Sequence, residues 1–194
     1  MTQLSIIAGL GNPEDRYERT LHNAGFWFVD AAARKYGGSF RYEKKFDAEI
    51  CKVRIAGSEV WLVKPQSYMN HSGQPVRAVL DYYRLNPRHM LVAHDEIDLP
   101  PGTVRLKQGG GHGGHNGIRD VIAHCGRDFM RLRIGVGHPG EKDKVTGYVL
   151  KRASADIEAA VERNVDEALD VTPMIIDDGL NAAMKQLHTK SDGN

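Results

Sequence analysis

Between Gly109 and Gly117 the chain reads Gly-Gly-Gly-His-Gly-Gly-His-Asn-Gly, nine residues of which six are glycine. Glycine admits positive φ and lets bare amides approach a ligand closely. Such a loop, set between the strand-like run Thr103–Lys107 and a helical pattern bearing Ile118, Val121 and Ile122, suits an anionic or polar group. Two other residues offer acid–base chemistry: His22, just ahead of an amphipathic stretch, and Asp95, at the end of an apolar run. A carboxylate beside an imidazole fixes its tautomer and stabilises the imidazolium formed when it takes a proton. Asn12, Asn70 and Asn116 each follow a loop-forming stretch and would bring neutral donors and acceptors to an amide carbonyl or a developing oxyanion. Any one of these asparagines alone reads as a turn or cap residue; the set points to a site.

Competing chemistries fail on context. Gly109-x-Gly111-x-x-Gly114 matches a dinucleotide fingerprint as a bare pattern, but it lies mid-chain and the next strand ends Gly135-Val136-Gly137-His138-Pro139 without the ribose-binding acid. No lysine follows the glycines as a phosphate loop requires, and no Gly-x-Ser-x-Gly elbow offers a serine nucleophile. Among nine histidines, His112 and His115 are three apart, but on a flexible loop with no carboxylate or thiol beside them to complete a metal site, so none is expected. His89, His124 and His188 read as surface or helix-end residues. Water activated by a His22–Asp95 pair is the chemistry that remains.

The elements that must position these residues follow from hydrophobic period and turn chemistry. Leu4–Leu10 reads as a buried strand ending at Gly11-Asn12-Pro13, and 24–36 as a helix with Phe26, Val29, Ala33 and Tyr36 on one stripe, stopped by Gly37-Gly38. Phe46–Ile55 and Glu59–Val63 form a hairpin about Gly57-Ser58. Pro75 opens a helix closed by Asn86-Pro87, and Met90–His94 is a second buried strand with Asp95 at its carboxyl end. Met130–Val136, with Arg131 and Arg133, alternates as a half-buried strand does. From Ser154 onward Ile157, Val161, Val165 and Leu169 mark a helix that Pro173 is expected to kink or interrupt. The expected fold is α/β: a single three-layer domain over residues 1–194, with a mixed, mostly parallel sheet flanked by helices. Ligands of such folds gather at the carboxyl ends of strands, so Asn12, Asp95 and the glycine loop are expected in one cleft.

Composition sets the frame. With 41% hydrophobic and 26% charged residues and a net charge of +1, the chain reads as a globular protein with a substantial core. Leu4–Leu10 is too short to span a bilayer and lacks a basic leader, so no membrane is expected. Cys51 and Cys125 form no disulfide framework and read as buried thiols of a cytosolic protein. Residues 155–182 hold eight acids against one arginine, hence −7, which leaves +8 on the remainder, a balance that permits a nucleic-acid surface.

Four ordered blocks then resemble the bacterial-type peptidyl-tRNA hydrolases. They are Gly9-Leu-Gly-Asn-Pro with Tyr17, Thr20 and His22-Asn-Ala-Gly-Phe26; Lys64-Pro-Gln-Ser-Tyr-Met-Asn70 with Ser72-Gly73; His94-Asp-Glu-Ile-Asp-Leu-Pro100; and the glycine loop followed by Arg131-Leu-Arg-Ile-Gly-Val-Gly-His-Pro-Gly140. The resemblance spans nearly the whole chain. It implies a cytoplasmic, monomeric esterase, needing no cofactor, that cleaves peptide from the 3′ end of tRNA and recycles tRNA from peptidyl-tRNA lost by the ribosome. It further implies that His22 is the base, that Asp95 orients it, and that Asn12 tells a blocked amino group from a free one. Tyr17, Tyr68, Asn70 and Asn116 would line the substrate cleft, and Lys107 and Arg133 would clamp the tRNA 5′-phosphate. Three positions depart from the pattern: Tyr68 where phenylalanine is common, Leu21 for a frequent arginine, and Glu14 for a frequent glycine. A non-catalytic RNA-binding protein on the same fold, or a hydrolase of small acyl esters or amides, stands as the alternative.

Overall fold

The structure, a computed structural model, describes residues 3–192. In chain order its strands are β1 (Ile6–Gly9), β2 (Arg41–Glu43), β3 (Ala48–Ile55), β4 (Ser58–Pro65), β5 (Met90–Glu96), β6 (Val104–Gln108) and β7 (Met130–Gly135). They form one sheet in the order β2-β3-β4-β1-β5-β7-β6. The central strands β4, β1, β5 and β7 are parallel; the ladders β2–β3, β3–β4 and β6–β7 at the two edges are antiparallel. The helices are α1 (Ala24–Tyr36), α2 (Gly73–Tyr83), α3 (Asn116–Cys125), α4 (Val145–Val149), α5 (Ala155–Asp177) and α6 (Leu180–Asp192).

Because successive strand residues point to opposite faces, β1 feeds both cores. Ile7 joins Phe28, Leu91, Leu132, Val161 and Val165 beneath α1, α5 and α6. Ile6 joins Val76, Leu80, Val92, Ile118 and Phe129 beneath α2 and α3. Burial on both sides is why β1 and β5 read as unbroken apolar runs. The three-layer α/β expectation therefore holds.

Helix α1 has the bounds its stripe predicts and ends on Gly37 at φ +71, whose amide returns to the Ala33 carbonyl. Its start is pressed onto the sheet. A Cβ on Gly25 would lie 2.3 Å from the Ala93 carbonyl oxygen and 2.5 Å from the Leu10 nitrogen, and one on Gly9 would lie 2.2 Å from the Gly25 oxygen. Only glycine permits that approach, which lays the turn before α1, with His22, against the end of β5.

Several expectations need correction. The β3–β4 turn is made by Ala56 and Gly57, at φ +48 and +78, one residue earlier than the Gly57-Ser58 spacing suggests. Helix α2 opens at Gly73, since Pro75 in its first turn forfeits no helical hydrogen bond, and it closes at Arg84 in the left-handed region. Pro173 does not interrupt α5, which runs 23 residues through it. Val165, Ala168, Leu169, Val171, Thr172 and Ile175 are buried on both sides of the proline, so packing carries the helix past the lost hydrogen bond. Arg131 is not half exposed: it is buried to 3%. His188 is not a free surface residue, because its Nε2 accepts the Leu106 N–H on edge strand β6, which α6 covers.

The direction of β6 matters most. Being antiparallel, it delivers the glycine loop to the end of the sheet away from Asp95, where Gly109 N–H bonds to the Phe129 carbonyl. The loop must climb back about four strand residues, roughly 13 Å, to reach the cleft. Buried Arg131 guides it, donating to the carbonyls of Gly110 (2.7 Å) and Gly111.

Candidate active site

The structure brings His22 and Asp95 together. His22 Nδ1 lies 3.1 Å from Oδ1 and 2.9 Å from Oδ2 of Asp95, so the ring N–H donates to the carboxylate and Nε2 is the nitrogen left for chemistry. Burial works against the imidazolium, but the adjacent Asp95 charge and hydrogen bond outweigh it and hold His22 above the ordinary histidine range. Burial also opposes the Asp95 carboxylate, yet the facing His22 and His115 keep its pKa far below the usual value. Asp95 is thus an ionised group inside the protein, with hydrogen bonds on both oxygens.

His115, which the sequence offered only as half of a rejected metal pair with His112, completes the arrangement. Its Nδ1 accepts the Ile118 N–H (3.2 Å) as the N-cap of α3, which fixes the tautomer: Nε2–H donates to Asp95 Oδ1 at 2.8 Å. The expectation that no carboxylate stands beside the loop histidines is overturned here, since the loop's climb brings His115 to Asp95. His112 goes elsewhere, its Nδ1 accepting the Gly114 N–H. The ligand-type atoms of His22, Asp95 and His115 lie within 4.8 Å of one another, as in a cation site. Both ring nitrogens that face Asp95 sit at hydrogen-bond distances, and His115 must carry its proton there. The donor set fits a hydrogen-bonded triad rather than a metal cage. His94 lies behind, its ring edge-on to His115 at 5.1 Å and its Nδ1 2.9 Å from the Asp95 carbonyl; burial pushes it down to about 3, so it is neutral.

The cleft over this triad has a volume of about 360 Å³. Asn12, Tyr17, His22, Tyr68, Asn70 and Asn116 all line it, so the structure brings together those six sequence-predicted residues, with Asp95 at the floor. Asn12 is buried, locked by Asn23 through paired hydrogen bonds of 2.8 and 2.9 Å, and its Oδ1 accepts the Met69 N–H at 2.8 Å. Asn116 Oδ1 accepts from Arg119 Nη1 at 3.1 Å. With both oxygens committed, these two asparagines offer the cleft their NH₂ donors. Met69, Ile97, Val145, Val149 and Leu150 supply apolar wall. Lys107 and Arg133 are outside the cavity lining. They project from the same face of the β6–β7 ladder, where Arg133 Nε bonds Glu96 Oε1 at 2.9 Å and Glu96 lines the cleft.

The chain is similar to known proteins over nearly its whole length. The family model described as peptidyl-tRNA hydrolase matches residues 6–194. A peptidyl-tRNA hydrolase of Halorhodospira halophila is 53% identical over 184 residues, covering 94% of this chain and 95% of that protein. One from Xanthomonas axonopodis pv. citri is 50% identical over 191 residues, 98% and 99% of the two chains. The crystal structure of the Acinetobacter baumannii peptidyl-tRNA hydrolase superposes with a TM-score of 0.94 at 45% identity, covering 97% of this chain and 96% of that one. With its fold, its His–Asp pair and its amide-rich cleft in place, and with these matches over nearly its whole length, the chain belongs to the peptidyl-tRNA hydrolase family.

Proposed function

We propose that this cleft hydrolyses the ester joining a peptide, or an N-blocked aminoacyl group, to the 3′ end of tRNA, with His22 as general base. The observation that carries the proposal is the commitment of His22 Nδ1 to both oxygens of Asp95, which leaves Nε2 basic in a cleft whose asparagines present donors. Water gives a proton to Nε2 as its oxygen attacks the ester carbonyl, and Asp95 stays ionised beside the imidazolium. The NH₂ groups around the cleft meet the developing oxyanion. Collapse breaks the bond to the ribose oxygen, which takes the proton back from Nε2 and departs as tRNA.

Asn12 supports selectivity. An NH₂ donor pairs with the carbonyl of an acylated amino group, whereas a free ammonium offers only donors and leaves it unmatched. At about 360 Å³ the cleft suits a terminal nucleoside and adjoining residue rather than the body of an RNA. Exposed Lys107 and half-buried Arg133 are then the groups to meet phosphate beyond it. No helix among the described residues is long and apolar enough to cross a membrane; that the enzyme works as a cytoplasmic monomer is what the family resemblance implies. The test is to incubate the protein with N-acetylated aminoacyl-tRNA and follow release of free tRNA. Release by native protein, and release slowed by about 10²–10⁴-fold in His22→Ala, is expected, while tRNA binding without release by the native protein would favour the non-catalytic alternative.

A further inference from the structure

Glu14 and Tyr68 are 54 residues apart and touch: the Tyr68 hydroxyl donates to Glu14 Oε1. Glu14 Oε2 also receives Arg16 Nε at 2.8 Å, and the Arg16 guanidinium stands 4.7 Å from the centre of the Tyr17 ring. A continuous line of contacts, Tyr68–Glu14–Arg16–Tyr17, thus runs along one rim of the cleft, beginning and ending on tyrosines that line it. Beneath it the Asn12 Oδ1 to Met69 N–H bond joins the same two segments at the floor. The segment after β1 and the segment after β4 are therefore tied twice, by a buried amide below and by a hydroxyl–carboxylate bond above. Phenylalanine at 68 with glycine at 14 would keep the lower tie and lose the upper one.

We propose that Glu14 and Tyr68 are a coupled pair of positioning residues that holds the tyrosine-lined wall of the cleft ready for the substrate and so sets KM. The inference rests on the hydrolytic reading of the cleft given above. Tyr68 is 51% exposed, so its ring, if untied, would sample several rotamers and lose that freedom when a substrate packs against it. Fixing the ring beforehand removes this cost from binding. A hydroxyl donating to a carboxylate is the stronger kind of hydrogen bond; the Tyr68 hydroxyl, and after it Arg16, hold the Glu14 carboxyl below the ordinary range, and the Arg16 contact helps to keep it in place. Neither residue is hydrogen-bonded to His22, Asp95 or His115, so the chemical step has no reason to change.

The test is steady-state kinetics on N-acetylated aminoacyl-tRNA with Tyr68→Phe, Glu14→Ala, the double variant and Glu14→Gln. Each of the first two is expected to raise KM by about 2–10-fold, the range of one hydrogen bond, with kcat unchanged. The double variant is expected to match either single, because both remove one interaction. Glu14→Gln retains an acceptor of the same reach and is expected to recover most of the lost KM. Single variants that leave KM unmoved, or KM effects that multiply in the double variant, would overturn the pair while leaving hydrolysis intact. Failure of the native protein to release tRNA would overturn the hydrolytic reading itself, and the pair with it.

Discussion

The imidazole of His22 has one nitrogen to work with, because Asp95 holds the other from both oxygens. A positioned general base is worth ~10²–10⁴ in rate, so His22→Ala is expected to lose about that much turnover while binding tRNA as before. Gel-based release assays beside an affinity titration measure both. Asn12→Asp retains an acceptor for the Met69 N–H but removes the NH₂ donor and adds charge. The expected result is eroded preference for blocked over free aminoacyl-tRNA, and equal slowing of both substrates would make Asn12 structural. The residue types were legible in the chain: His22, Asp95 and the three asparagines sit at the ends of recognisable elements. His115 was not, since its place beside Asp95 depends on a loop path that no local pattern encodes.

At the scale of elements, the site depends on how closely α1 lies on the sheet. Gly25→Ala would place a methyl 2.3 Å from the Ala93 carbonyl, rigid backbone that cannot give. Overpacking of this kind costs about 1–3 kcal/mol, and lifting the start of α1 moves His22 from Asp95. Urea unfolding and the release assay are expected to show loss of both stability and turnover; full activity would mean the contact relaxes elsewhere. Helix α1 and strands β1 and β5 could be read from the sequence because their periods and stop signals are local. The antiparallel run of β6 could not, since Val104–Gln108 looks the same in either direction. Strand β2 and helix α4 also escaped notice, being only three and five residues long, and the helical reading from Ser154 onward did not mark the break between α5 and α6.

Across the whole molecule, charge is divided. Most acidic residues of α5 face outward, some paired with Arg19 and Lys35, while Lys107 and Arg133 share the opposite face of the sheet near the cleft. If Lys107 meets phosphate, Lys107→Ala is expected to weaken tRNA binding and lower the log–log salt slope by about 0.7–0.9. The effect at Arg133 is expected to be smaller, because Glu96 already engages it. An unchanged slope in both would remove this face from the interface. Buried His94 links the fold to pH. Between the ordinary histidine value of about 6.5 and its folded value of about 3, the unfolded chain binds a proton that the folded chain refuses. Stability therefore falls as pH drops through that window. His94→Gln is expected to flatten the dependence of the urea midpoint on pH there, and an undiminished slope would assign it to other groups.

The central claim, that Asp95 keeps His22 basic for attack by water, is tested most directly by the pH dependence of kcat/KM in native protein and Asp95→Asn. Because Asp95 raises the His22 pKa, the native rate is expected to rise with pH through a midpoint above the ordinary histidine value, as the imidazole loses its proton. In Asp95→Asn the carboxylate charge is gone, so the midpoint is expected to move to lower pH while the plateau falls. An unshifted midpoint, or a variant as fast as the native enzyme at its plateau, would contradict it.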